Sequence, residues 1–182
     1  KNKEKNNLHK IMAKEKKKMK LIIQDLLNLT KIENEQEKEI RETVNLYEII
    51  KQSILEQKSF TKKNSKKIIY KGVKKSEIIG DRSQLLQMFS NIINNSIKYS
   101  KKESNLLIQL TKKNNKFFLN FQDKGKGIPS SLLPRLTERF YRVPESKIKN
   151  IEGSGLGLAI VKHIAIRHKA ELKISSKLNS GT

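Results

Sequence analysis

Glycine and proline divide this 182-residue chain into two territories. The first 71 residues contain neither, whereas all three prolines (Pro129, Pro134, Pro144) and five of the eight glycines lie between positions 125 and 157. A stretch free of both breakers can carry a long helix. Within it, Leu8, Met12, Met19, Ile22, Leu26 and Leu29 recur at alternating spacings of four and three once Glu15 is counted, which makes a heptad stripe. Ile11, Ile23 and Leu27 widen that stripe to what a helical bundle buries. The spacing predicts one helix from residue 5 to about 35, closing on the polar run 33–39. The second territory, 124–152, reads as a loop of nearly thirty residues bounded by DKGKG at 123–127 and GSGLG at 153–157. Compact domains rarely carry so long a connection unless it is a lid or a binding loop.

Between and after these territories, short strands and helices mix without regular βαβ alternation, which predicts an α+β fold. Strands are expected at 43–46, 67–70, 78–79, 106–110, 117–121 and 171–175, the pair 106–110 and 117–121 joined by the polar turn 112–116. Helices are expected at 47–58, from a cap at Asp81 through Ile97, and at 156–168.

Composition narrows the function. Lys+Arg number 40 against 18 Asp+Glu, a net charge of +22 that at first resembles a nucleic-acid binder. However, 34 of the 40 are Lys, and Arg, the better bidentate reader of phosphates and bases, is scarce. Direct nucleic-acid binding is therefore not expected, and the surplus charge suits acidic protein partners. The absence of Cys excludes disulfides, thiolate zinc sites and cysteine catalysis. No window approaches the length of a membrane-spanning apolar segment, so any membrane link would come through segments upstream.

Three motifs carry chemistry. GSGLGLAIVKHI at 153–164 is a glycine-rich turn entering an apolar helix, where free N–H groups and the helix dipole favour an anion. A dinucleotide fold would need a strand before Gly153, and a P-loop would need Lys-Ser/Thr after the last glycine; neither is present. DKGKGI at 123–128 follows a predicted strand, so Asp123 could accept a hydrogen bond from an exocyclic amine while Gly125 and Gly127 leave room for a flat base. NIINNSIKYS at 91–100 sets Asn91, Asn95 and Lys98 on one helix face, two amide oxygens suited to a hard Mg²⁺ and a cation suited to phosphate. Singly, each admits a plain reading as a turn or a polar helix face.

In this order, with the Phe-bearing segment ERFYR at 138–142 between the last two, the motifs resemble the catalytic domain of sensor histidine kinases. NIINNSIKYS is similar to the family's N box, DKGKG and GSGLG to its glycine boxes, and ERFYR to its F box. LIIQDLLNLTKIEN at 21–34 looks like the second helix of the family's dimerisation hairpin, and RLTERFYRV at 135–143 is similar to the phosphate-regulon subgroup. The resemblance implies a Bergerat-type ATP-binding α/β sandwich at 41–182, a mixed sheet with helices on one face, preceded by a dimerisation helix at 1–40.

It also implies roles. Asn95 would ligate Mg²⁺ with Asn91 beside it, and Lys98 would face the phosphates of ATP. Tyr99 would lie near the nucleotide, Asp123 would bind the adenine amine, and Gly125, Gly127 and Ile128 would border the base. Gly153, Ser154, Gly155, Leu156 and Gly157 would meet the phosphates, while Arg139 and Arg142 would reach the phosphates or the partner helix. Asn95, Lys98 and Arg142 are the catalytic candidates, and Phe140 would anchor the lid by burying its ring.

The implied function is phosphoryl transfer from ATP to a His and thence to a response-regulator Asp, in a cytoplasmic catalytic part that pairs into a homodimer through its first helix. A non-catalytic docking module, or another ATPase or serine kinase of the same superfold, is the alternative. The chain departs from the family pattern in lacking an acceptor His followed by an acidic residue and Arg-x-Pro; His9, His163 and His168 read as structural or solvated. The acceptor, and a last strand after Thr182, are expected in a longer protein.

Overall fold

The computed structural model describes residues 2–34, 40, 42–58, 61, 65–101, 103–143 and 153–182. Its elements are α1 (Asn2–Asn34), β1 (Thr43–Asn45), α2 (Leu46–Glu56), β2 (Lys67–Gly72), β3 (Glu77–Ile79), α3 (Arg82–Tyr99), β4 (Asn105–Lys113), β5 (Lys116–Gln122), a 3-10 segment (Ser130–Arg135) and α4 (Gly157–Arg167). The main sheet has the order β2-β4-β5, with β2 parallel and β5 antiparallel to β4; β1 and β3 pair separately. This is a mixed sheet with helices against it, the α+β architecture expected.

Period decides which faces meet. On α3, Leu85, Phe89, Ile93 and Ile97 recur every four residues and are buried against Leu106, Ile108 and Leu110, the alternate residues of β4, and against Ile49 and Ile50 of α2. The Phe89 ring lies 6.0 Å from that of Phe121 in a tilted pair. Each such side chain contributes about 1.5–3 kcal/mol when fully covered. Committing this face of α3 to the core leaves Asn91, Asn95 and Lys98 on another face, where α4 packs.

The last three turns of α1 dock on α4. Leu29 and Ile32 are fully or nearly buried with Leu156, Ile160 and Ile164, and Ile22, Asp25 and Glu33 are partly covered on the same helix face. Leu29 and Ile22 of the heptad stripe therefore turn toward the chain's own domain. The remainder stays open: Leu8, Ile11, Met12, Met19, Ile23, Leu26 and Leu27 are 40–64% exposed. Among the described residues no helix is long and apolar enough to cross a membrane.

Three expectations change. Residues 171–175 form no strand; their burial alternates, with Leu172 and Ile174 turned toward Leu133, Pro134 and Thr137, but no described strand lies alongside to complete a ladder. The hairpin turn is tighter than 112–116. Lys113 pairs with Lys116, and Asn114 and Asn115 both take positive φ (49° and 57°), the form that two-residue hairpins favour and Asn tolerates. Finally, the described part of the long loop is not featureless, because the 3-10 segment occupies 130–135. Residues 144–152, with Pro144, lie outside the described residues.

Asp81 caps α3 as expected, its carboxylate accepting from Gln84 N–H at 3.0 Å and Ser83 Oγ at 2.7 Å. His168 supports the same corner. The Asp81 N–H donates to His168 Nε2 (3.0 Å), so the ring proton sits on Nδ1, 2.8 Å from the Ile164 carbonyl oxygen. Burial lowers the His168 pKa below 6.5, more than its contact with the Ile164 carbonyl and the Asp81 charge raise it. Because the folded value lies below the unfolded one, this stability is complete above about pH 6.5 and is lost as pH falls toward the folded value. His168→Gln should flatten that decline, and melting temperatures between pH 7 and 5 would show it; an identical slope refutes the assignment.

Candidate functional site

α3 and α4 bring two of the motifs together. The Asn91 Nδ2 amide donates to the Gly157 carbonyl at 3.4 Å. A Cβ placed on Gly157 would lie 3.8 Å from Asn95 Nδ2 and 3.9 Å from Asn91 Cγ, so the asparagines face the entry to α4 at van der Waals range. Leu156, at the N-cap position, makes no side-chain cap hydrogen bond to that helix. The backbone N–H groups of its first turn therefore offer positive ends to an anion beside two amide side chains. Lys98, one turn on from Asn95, is partly buried, and Tyr99 is partly exposed at the end of the helix.

At that end of α3 stands the second cluster. Ser100 bridges to Gly125, and a Cβ on Gly125 would lie 2.8 Å from Asp123 Oδ1 and 3.1 Å from the Tyr99 carbonyl oxygen. Asp123 leaves β5 directly. Its Oδ1 accepts from the Gly125 N–H (2.7 Å) and the Thr182 N–H (3.4 Å). Burial raises the Asp123 pKa, outweighing those hydrogen bonds and the nearby Lys66 charge, which pull it down. Ile128, just beyond Gly127, is held by its N–H to Ser176 Oγ at 2.8 Å.

What supports this cluster carries no motif in the sequence. Residues 176–182 form a cradle: Asp123 N–H donates to the Thr182 carbonyl (2.9 Å), Asn179 N–H to the Lys126 carbonyl (2.6 Å), and Ser176 Oγ to the Gly181 carbonyl (2.7 Å). Lys66 supports it as well: its ammonium donates to the Ile97 carbonyl and to the carbonyl and hydroxyl of Ser100 (2.9 and 2.8 Å), closing the C-terminus of α3. Burial lowers the Lys66 pKa against the opposing pull of Asp123. No sequence motif marks either group; they are joined to the site only by folding.

The glycine turn and the segment 138–142 meet each other and α1. Gly155 has φ of +78°, and a Cβ there would stand 2.8–2.9 Å from backbone atoms of Phe140. Phe140 itself is 54% exposed with φ of 62°, so it touches the turn through its backbone, and the expected burial of its ring is not observed. Arg139 pairs with Glu33 of its own α1, and His163 Nε2 lies 3.2 Å from the same carboxylate oxygen, so His163 is neither core nor simply solvated. Ser154 Oγ donates to Asp25 Oδ2 (2.5 Å) while accepting from the Leu156 N–H (3.2 Å). Among the described residues nothing lies within 4 Å of a Cβ placed on Gly153, and Arg142 is exposed.

A mixed sheet carrying an amide-lined helix, a carboxylate at a strand end and a glycine turn at a helix start defines a nucleotide-binding sandwich. Residues 80–182 match the histidine kinase-, DNA gyrase B-, and HSP90-like ATPases, and the chain belongs to that family. Its relatives are sensor kinases. It is 44% identical over 106 residues to the phosphate regulon sensor protein PhoR of Pseudomonas aeruginosa, covering 58% of this chain and 24% of the relative. It is 30% identical over 181 residues to the sensor protein kinase WalK of Staphylococcus haemolyticus, covering 94% of this chain and 28% of the relative. Among solved structures, a mycobacterial sensor histidine kinase, MprB, superposes with a TM-score of 0.61 at 27% identity over 71% of this chain and 81% of that one. The Acinetobacter baumannii histidine kinase AdeS shares the fold at a TM-score of 0.76 and 20% identity, over 96% of this chain and 80% of the other. The chain spans about a quarter of the length of these curated relatives.

Proposed function

We propose that residues 41–182 are the ATP-binding catalytic domain of a two-component protein-histidine kinase and residues 1–40 the second helix of its dimerisation hairpin. The observation that carries this reading is the approach of Asn91 and Asn95 of α3 to the start of α4, with the Asp123 cluster at the C-terminal end of α3. The order of these groups suits a molecule with a flat base at one end and phosphates at the other.

On this reading Asp123 accepts the adenine amine, Gly125, Gly127 and Ile128 line the base, and Tyr99 lies beside the nucleotide. The amides of 153–157 and the Lys98 ammonium hold the phosphates, and Arg142 serves the transferring group from the lid. Among the described residues no three His, Cys, Asp or Glu converge on one point. The oxygens offered to a cation here are thus the amide oxygens of Asn95 and Asn91, which fits Mg²⁺ shared with phosphates rather than a metal caged by protein. Mg²⁺ would supply charge neutralisation. The protein's own contribution is alignment and fixed positive charge, which is most of what phosphoryl transfer requires. The phosphoryl group passes to a His supplied by another segment and then to a receiver-domain Asp. The open apolar stripe of α1 pairs with a second copy, and the basic surface favours the receiver domain.

Asn95→Asp tests the site. A carboxylate beside the triphosphate repels it, so binding of a non-hydrolysable ATP analogue should fall about tenfold or more without Mg²⁺, roughly 1.4 kcal/mol, and less with Mg²⁺ present. Titration calorimetry under both conditions reads this. Equal affinity for wild type and variant in both would remove Asn95 from the site.

A further inference from the structure

Two donors assigned above to the phosphates and the lid are occupied by carboxylates of α1. The face of α1 that meets the domain carries Ile22, Asp25, Leu29, Ile32 and Glu33. Its apolar members seat on Leu156, Ile160 and Ile164, directly behind the glycine turn. Its two acidic members reach past that seat. Asp25 takes the Ser154 hydroxyl at 2.5 Å, and Glu33 takes the Arg139 guanidinium in front of Phe140, whose backbone packs on Gly155. Glu33 is 25% exposed and Arg139 49%, so the pair lies at the edge of solvent rather than in bulk water.

We propose that Asp25 and Glu33 act as an intramolecular anion that competes with a nucleoside triphosphate, so that docking of α1 and binding of the terminal phosphates oppose each other. The inference rests on the reading that 153–157 and the lid receive phosphates. A triphosphate reaching the turn must share Ser154 and Arg139 with two carboxylates already there, and like charges at such range repel. Withdrawal of α1 frees both donors and removes both negative charges. Coupling of this kind is reciprocal: whatever factor the docked helix costs the triphosphate, the triphosphate costs docking. A ligand without phosphates has no differential interaction with the two arrangements and shifts neither.

The test uses the full chain and its variants Asp25→Asn and Glu33→Gln, singly and together, with a non-hydrolysable ATP analogue and adenosine as probes. Both substitutions keep size and hydrogen-bonding capacity on partly exposed helix positions, and circular dichroism verifies the fold. The double variant should bind the triphosphate about tenfold more tightly, within the usual range of site-to-site coupling, and adenosine as wild type does. As a second readout, the triphosphate but not adenosine should speed amide hydrogen exchange in residues 22–33 of wild type. Unchanged or weaker triphosphate binding in the double variant overturns the proposal, as does an equal gain for adenosine. Failure of every protein to bind either probe overturns the nucleotide site itself and the proposal with it.

Discussion

Asp123→Asn should weaken binding of adenine nucleotides by about 10–150-fold, the size of one hydrogen bond to a charged group, roughly 1.5–3 kcal/mol. The prediction follows from how the carboxylate is held. β5 ends at Gln122 and delivers Asp123 into a partly buried corner, where Gly125 and Thr182 N–H groups fix Oδ1. The remaining oxygen is left to accept from a base. An amide in its place either keeps its oxygen on the backbone N–H groups and turns NH₂ toward the exocyclic amine of adenine, or flips and sets NH₂ against those N–H groups. The matching control is an inosine nucleotide, which lacks that amine. Wild type should discriminate between the two bases by the factor above, and the variant should not. Equal discrimination by both proteins would show that another group reads the base. Burial holds the Asp123 pKa above its ordinary 3.8, so wild-type affinity should begin to fall, on acidification, at a higher pH than for an exposed aspartate.

A large loss of stability is expected of Gly127→Ala. Gly127 has φ of +71°, and a Cβ there would lie 2.0 Å from the Lys177 carbonyl oxygen and 2.8 Å from Leu178 Cα. Both obstacles are backbone, so no side chain can swing away. The left-handed conformation costs a side-chain-bearing residue about 1–2 kcal/mol, and forced displacement of packed neighbours about 1–3 more. Since 1 kcal/mol moves the melting temperature of a chain this size by about 2–4 °C, a drop near 10 °C is expected. The consequence for function is separable. Lys177 belongs to the cradle that holds Asp123, so nucleotide affinity should fall even well below the melting point. Gly153→Ala is the internal control, since among the described residues its Cβ would meet nothing within 4 Å. Equal melting temperatures for the two variants would show that the cradle is not rigid.

Some of this was legible in the order of residues. Apolar residues every four positions from Leu85 to Ile97, after a capping Asp81, specify a helix and its buried face together, because both depend on neighbours within a few residues. The same periodicity leaves Asn91, Asn95 and Lys98 in register on a side that the sheet does not cover. Alternation at 105–113 and 116–122 likewise reveals a hairpin, although its two-residue turn depends on the positive φ of Asn114 and Asn115. Residues 171–175 show where such reasoning stops. They alternate as a strand should, but a strand exists only beside another, and alternation says nothing about the neighbour.

Phe140 shows the same limit at the site. An aromatic ring in a glycine-bordered loop suggests an anchor, yet here backbone contact with Gly155 joins the lid to the turn and the ring faces solvent. Lys66, Thr182 and Ser176 belong to no motif, because what they supply is an ammonium, an amide or a hydroxyl brought from more than thirty residues away in the chain. Asp25 and Glu33 read as ordinary polar residues of a heptad helix, and α1 was expected to spend its stripe on a partner chain.

By itself, the sequence determined the α+β class, the long helix without glycine or proline, and the order of amide, carboxylate and glycine motifs, all properties of local spacing. Only the tertiary structure decided that Asn91 and Asn95 stand against Gly157, that 176–182 wrap Asp123, and that Leu29 and Ile32 draw α1 onto α4 with its carboxylates on Ser154 and Arg139. The hydrogen bonds from Asn91 to Gly157, Thr182 to Asp123 and Ser154 to Asp25 join residues 66, 59 and 129 positions apart. Burial of apolar area is non-directional and selects which surfaces meet, whereas hydrogen bonds and charge select what they touch once there.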